Sequence, residues 1–508
     1  MRVVLLPCDT RPPTLELPQQ LARMAGIELV VPAPGLLNYL NQPAPLSLLA
    51  QWLRQEAQQA EALVVSLEML TLGGMIPARR VDDPLEGVLT RLELLRQLKN
   101  ERPNLRILAH GVILRVAHDN DPLEEKPYYG QWGDQLRQYS ELTDRAERSG
   151  DTSWREQQVN LQAQLPTEIL ANWLATRQRS RQLHQAAVDL LEQGVIHYLA
   201  LTLDDTTPYG LAARDRRSLE TLLDQKNLWS RANIYPGADE VSATLLARLV
   251  SEERGRPPLV YVQYPSPLSP QATTLYEDRP LGELVQVHLR AVGARLALYP
   301  EQADLVLAVN APAVAQASTQ PDWVSVDTPA RSLPWFVDQI AHHLDEGRLL
   351  ALADLAYPNG AELRLMGLLG GMGLHRLQSF AAWNTAGNSL GSALAGGLAA
   401  LGSADLPRLE ALFSRLTDDW LYQSVVRPQL VRALSNPDPY HLGEQLGQAT
   451  QRLQTLMPPM VQELWQAQFA PFYPGIALEM GQPSLAWPRL FTGVFPLKLV
   501  KSAQIPEA

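Results

Sequence analysis

Two aspartates stand side by side, Asp204 and Asp205, at the end of the apolar run Tyr198-Leu-Ala-Leu-Thr-Leu-Asp-Asp-Thr-Thr-Pro-Tyr-Gly210. Neighbouring residues at the end of an extended segment point in different directions. One carboxyl can therefore face a leaving group while the other touches a second part of the same substrate. An acid beside an orienting carboxylate is equipment for opening a glycosidic bond. Capping a turn or a helix start is the other role open to such a pair.

Other polar residues follow other apolar runs. Asp9 and Arg11 follow the first, Glu68 and Gly73-Gly74 a later one, and His110 and Arg115 lie within or after the next. Tyr209 comes just after the aspartate pair; then come Asp239, Glu240, Tyr264, Asn310, Asp354, Asn359, Trp383 and Asn384. Carboxylates, amides and guanidinium groups grip vicinal hydroxyls, and an aromatic ring stacks on a sugar face. The set therefore reads as a ring that holds a polyhydroxylated ligand. Structural roles compete at several positions. Asp9 and Arg11 can pair with each other. Asp239-Glu240 suits the first turn of a helix. His110 alternates with apolar residues as a core histidine does, and Asn384 suits a cap.

Positioning this ring requires strand ends. Apolar runs at 3–6, 28–31, 62–66, 106–113, 198–203, 233–235, 259–263, 305–309 and 349–353 predict strands. Amphipathic stretches such as 46–60, 85–99, 241–253 and 335–344 predict the helices between them. Repeated strand–helix units imply an α/β fold with a parallel sheet and helices outside. Residues 1–390 are expected to form a TIM-like (β/α)8 barrel, with a doubly wound parallel sheet as the alternative. A polar, helical insertion at 118–180 follows strand 3, with helices at 134–148 and 166–193 and with Tyr128, Tyr129 and Trp132 near its start. Residues 391–508 read as a mostly helical C-terminal region. Its Gly/Ala-rich helix at 391–401 is suited to close packing, within one chain or between copies in a homo-oligomer.

The 508 residues carry a formal charge of -11 with no basic block, which argues against nucleic acid as a partner. No apolar stretch reaches the ~20 residues of a membrane span, and no signal-type segment opens the chain, so a cytoplasmic protein without a membrane partner is expected. The single cysteine, Cys8, ends an apolar run and reads as core. Dinucleotide and Walker glycine patterns are absent, as is H-E-x-x-H, so no cofactor and no metal are expected.

The segments Leu6-Pro-Cys-Asp-Thr-Arg-Pro12, Ser66-Leu-Glu-Met-Leu70, Asp204-Asp-Thr-Thr-Pro-Tyr-Gly210, Tyr235-Pro-Gly-Ala-Asp-Glu240, Tyr276-Glu-Asp-Arg-Pro280 and Trp383-Asn-Thr-Ala-Gly-Asn388 resemble, in order, a bacterial family catalogued as domain of unknown function 4127. Glu68 stands where that family's pattern has Asp. The aspartate pair, counted after a fourth barrel strand when 28–31 is left out, is similar to the site of retaining N-acetylhexosaminidases of glycoside hydrolase families 20 and 84. That likeness implies a β-N-acetylhexosaminidase releasing GlcNAc or GalNAc by substrate-assisted catalysis. Asp204 would orient the acetamide and Asp205 would act as the acid. Asp9, Arg11, Asp354 and Asn384 would hold hydroxyls, and Trp383 would stack. The alternatives are a conventional glycosidase using Asp205 or Asp239/Glu240, a metal-dependent hydrolase using Asp9, Asp204, Asp205 and His110, and a non-catalytic carbohydrate sensor.

Overall fold

The apolar runs of the first half become one parallel sheet. Its strands are β1 (Arg2–Leu6), β2 (Glu28–Val30), β3 (Ala62–Ser66), β4 (Arg106–Ile113), β5 (Tyr198–Leu203) and β6 (Ala232–Pro236), in the order β2-β1-β3-β4-β5-β6. The strands inside this sheet are buried on both faces, which is why they read as unbroken Val/Leu/Ala runs rather than as alternating ones. The second half builds another parallel sheet from β7 (Leu259–Gln263), β8 (Arg295–Leu296), β9 (Leu305–Asn310), β10 (Leu350–Asp354) and β11 (Ser379–Ala381), in the order β11-β10-β9-β7-β8.

The strands thus divide between two parallel sheets and do not close one (β/α)8 ring. In each sheet the first strand lies between the second and the third, and the later strands continue outward from the third. This order fits the doubly wound alternative, with the direction of winding changing beside β1 in one sheet and beside β7 in the other.

The computed structural model describes residues 1–320, 326–436 and 438–502. They form two compact units. The first comprises Met1–Thr10, Ile27–Ser242 and Tyr276–Asp278; the second comprises Arg11–Gly26, Ala243–Leu275 and Arg279–Ala508. Each unit is thus built from three separate segments of the chain. The helix Pro12–Met24 follows β1 in sequence, yet its Leu17, Leu21 and Met24 join the core of the second unit with Ala243, Leu281 and Leu390. Each fully buried Leu contributes roughly 1.5–3 kcal/mol.

The insertion is part of the first unit. Its helices Tyr129–Arg148, Thr152–Gln162 and Thr167–Glu192 enclose a core of Tyr129, Leu136, Tyr139, Leu161, Leu170 and Trp173, joined by Leu211. In the second unit the Gly/Ala-rich helix runs from Ala386 to Ala399 and is buried almost throughout. A Cβ on Gly397 would lie 2.7 Å from Leu305 and 2.9 Å from Ala351, so the small residues let the helix sit directly on the sheet within its own unit. The C-terminal region is not purely helical: β12 (Ile476–Met480) pairs antiparallel with β15 (Leu497–Lys501), and β13 (Ser484–Leu485) with β14 (Gly493–Val494). No helix among the described residues is long and apolar enough to cross a membrane.

Candidate functional site

β5 delivers Asp204 and Asp205 to a loop that is held at both ends. Thr206 donates twice to the carbonyl of Tyr276, from N at 3.0 Å and from Oγ1 at 2.9 Å. Beyond it, Gly210 N donates to Asp144 Oδ2 at 2.9 Å and Leu211 N to Ser140 Oγ at 2.7 Å. Side chains of the insertion thus satisfy the first free N–H groups of the helix Leu211–Gln225. Tyr209 is held there too, with the guanidinium groups of Arg145 and Arg148 4.1 and 5.0 Å from its ring centroid. Asp205 itself adopts φ +49°, a conformation uncommon for anything but Gly, Asn and Asp.

Two arginines clamp the pair. Arg79, on the short helix Met75–Arg80, donates to Asp204 Oδ2 at 2.7 Å. Arg115, just past β4, donates to Asp205 Oδ2 at 3.0 Å and lies 3.6 Å from Asp204. The same guanidinium reaches Glu124 at 2.7 Å and Glu125 at 3.0 Å, both at the start of the insertion. Arg79 lies 3.4 Å from each of those glutamates. Four carboxylates therefore surround two guanidinium groups in a largely buried space.

An excess of acids over bases in low dielectric favours holding a proton. Burial first, and the Asp204 charge second, push the Asp205 carboxyl from 3.8 up to about 7. Burial also raises Glu125. Arg115 is raised by its four carboxylates, Glu124 foremost, against the opposing effect of burial, the largest single influence. His118, edge-on to Tyr276 with ring centroids 5.7 Å apart, is lowered by burial and then by Arg115.

A second grouping forms from loops after β1 and β6. One ligand atom each from Cys8, Asp9 and Asp239 lies within 4.8 Å of the others, and all three residues are buried. Gly73, in the left-handed conformation at φ +79°, ends the helix Leu67–Leu72, and Met75 N then donates to the Cys8 carbonyl at 3.1 Å. Gly237, at φ +144°, is in a conformation that strains any side chain, and a Cβ there would lie 2.1 Å from Glu240 Oε1 and displace it. That space lets Glu240 turn back and accept from Ala238 N at 3.0 Å, which fixes the backbone on both sides of Asp239. A thiolate and two carboxylates are a donor set suited to a divalent cation such as zinc. Asp9 thus groups with Cys8 and Asp239.

Glu68 and His110 lie deeper. Glu68 Oε1 accepts from Val112 N at 2.9 Å and faces His184 Nε2 at 3.0 Å, which ties the helix Leu67–Leu72 to β4 and to the insertion's long helix. The His110 ring is fully buried, with Nε2 3.3 Å from Ser242 Oγ, and burial lowers it to about 4. Both are buried, Glu68 on the helix Leu67–Leu72 and His110 within β4.

The remaining candidates belong to the second unit. Asn310 and Asp354 end adjacent strands, and Asn310 Nδ2 donates to Asp354 at 2.7 Å and to Glu362 at 2.9 Å. Arg331 donates to Asn310 Oδ1 and to Glu362 Oε1, both at 2.8 Å. Burial and then Glu362 raise Asp354 to about 7. Asn359 N donates to the Asn384 carbonyl at 3.1 Å, and both asparagines have positive φ. Trp383 is buried, with its ring 5.2 Å from that of Phe491. The guanidinium of Arg11 lies 5.0 Å from the Trp487 ring centroid, and Tyr264 packs at the margin of the unit's core.

Arg79, Glu124, Glu125, Arg331 and Glu362 escape a reading based on strand ends, because none directly follows a strand. For Glu124-Glu125 the doubled acid soon after Arg115 was a usable signal. The model of a family described as protein of unknown function (DUF4127) matches residues 3–494. No curated protein matches the chain.

Proposed function

Since the chain belongs to the DUF4127 family, whose description names no chemistry, we propose from the site itself that it is a glycoside hydrolase with Asp205 as the general acid. The observation that carries this reading is the half-buried Asp205 carboxyl, held beside Asp204 and Arg115 and raised to about 7. Such a group holds a proton near neutral pH and can pass it to a departing glycosidic oxygen; general acid help of this kind gives ~10²–10⁴-fold. Asp204, fixed by Arg79, orients the substrate. On a 2-acetamido sugar the acetamide oxygen attacks the anomeric carbon as the bond to the leaving oxygen breaks, and Asp205 gives that oxygen its proton. Asp204 accepts the acetamide N–H. Water then opens the cyclic intermediate with Asp205 as base, and the configuration is retained.

The strand count behind the likeness to families 20 and 84 no longer applies, since Glu28–Val30 is a member of the sheet and the pair follows its fifth strand in chain order. Support for the reading comes from the environment of the pair alone. A panel of aryl β-GlcNAc, β-GalNAc, β-glucoside and β-galactoside substrates, with and without chelator, tests it. Turnover that is confined to the acetamido sugars, persists in chelator and falls in Asp205→Asn supports it. Absence of turnover on all four refutes it.

Cys8, Asp9 and Asp239 favour a second reading, a metal-dependent hydrolase. A divalent cation held by these three would activate water at neutral pH. A bound cation lost in Asp239→Asn, with activity that depends on it, would select this reading over the first.

A further inference from the structure

A cavity of about 450 Å³, lined by the insertion's helices and by the helix Leu211–Gln225, lies outside the groups described above and within the ordinary size range of small-molecule sites. Its charged lining is Arg155, Arg177, Arg181 and Arg214 against Glu147 and Asp215. That leaves a formal surplus of two positive charges in a chain whose total is -11.

The acids present do not use up the donors. Arg214 pairs with Glu147 at 3.0 Å, and Arg177 with Asp215 at 3.1 Å, while Arg181 reaches Asp215 only at 3.9 Å. Among the described residues, the Nε donors of Arg177, Arg181 and Arg214 are buried and lack a hydrogen-bond partner. Arg177 is itself more than nine-tenths buried. Buried guanidinium donors left unpaired are costly, and an oxyanion is the ligand that fits their planar fork.

We propose that this cavity binds a small molecule bearing two or more acidic oxygens, as phosphate or carboxylate. Arg177 links the cavity to the rest of the unit, since its guanidinium also donates to the carbonyls of Leu114 at 2.8 Å and Arg115 at 3.0 Å. The proposal stands whether or not the chain is a glycosidase.

Calorimetric titration of the full chain with pyrophosphate, and separately with citrate, at matched ionic strength tests it. Saturable one-to-one binding of at least one probe is expected. The preferred probe tells phosphate from carboxylate recognition. The double variant Arg181→Gln/Arg214→Gln should weaken binding by about tenfold or more, as loss of charge-assisted bonds does. Arg155→Gln, on an exposed face and safe for folding, should weaken it severalfold. Arg256→Gln, at an exposed pair with Asp304, should leave it unchanged. No saturable binding of either probe up to ~10 mM, or affinity equal to wild type in both cavity variants, overturns the proposal.

Discussion

Replacing Asp205 with Asn removes one titrating group from the buried cluster and leaves a side chain of the same shape. In the folded wild type that carboxyl binds its proton up to about pH 7, against 3.8 for the ordinary group. Between those values the folded state holds more protons than the unfolded one, so stability falls as pH rises through the window. Below it there is no penalty, and above it the penalty is complete. Each pH unit corresponds to ~1.4 kcal/mol, so the interval sets a ceiling of ~4 kcal/mol. That figure is already net of Arg115, which lies 3.0 Å away and opposes the rise. Urea unfolding of wild type and Asp205→Asn in steps from pH 4 to 8 reads the difference directly. The variant should gain on wild type steadily toward pH 7 and then run parallel to it. Curves parallel throughout would refute the raised proton affinity and, with it, the acid role.

On aryl glycosides, Asp205→Asn should cost ~10²–10⁴-fold in kcat/KM with poor leaving groups and far less with good ones, whereas Asp204→Asn should damage both; equal losses for both classes in Asp205→Asn would contradict the assignment. Arg115→Met leaves four acids around Arg79 alone and should destabilise by roughly 3–5 kcal/mol, as stripping one partner from a buried pair does; a change below ~1 kcal/mol in chemical unfolding would mean that the cluster is well hydrated. Gly237→Ala should cost at least ~1–3 kcal/mol from backbone strain alone, and should lower metal content if Asp239 is a ligand, which elemental analysis against Cys8→Ser would report. An unchanged melting temperature in Gly237→Ala would refute the packing argument.

Strand positions are legible where strands are buried on both faces, as with the Val-Val-Leu-Leu of β1 and the Leu-Val-Val of β3. β8 escapes because it is two exposed residues, and the short β11 escapes as well. How the strands divide is not legible, since strands of a barrel and of an open doubly wound sheet have the same two-sided burial. The aspartate pair stands out by composition, but Arg79 lies 125 residues from Asp204 in the chain, and no local pattern joins them. Glu68 and His110 mislead for the opposite reason: Glu68 just after β3 and His110 within β4 turn into the interior, where one ties backbone and the other is held neutral by burial.

The helix Pro12–Met24 has a further consequence, for the history of each newly made chain. The helix emerges early in synthesis, yet the residues that cover Leu17, Leu21 and Met24 begin at Ala243. Until that point the helix has an apolar stripe with no lasting partner, so the nascent N-terminal half depends on waiting, or on a chaperone, rather than on folding domain by domain. For the same reason no single cut divides this protein into two working halves. A fragment ending near residue 242 would carry an orphaned helix prone to aggregate, and the complementary fragment would lack a piece of its own core, which a separately supplied peptide of residues 11–26 should restore.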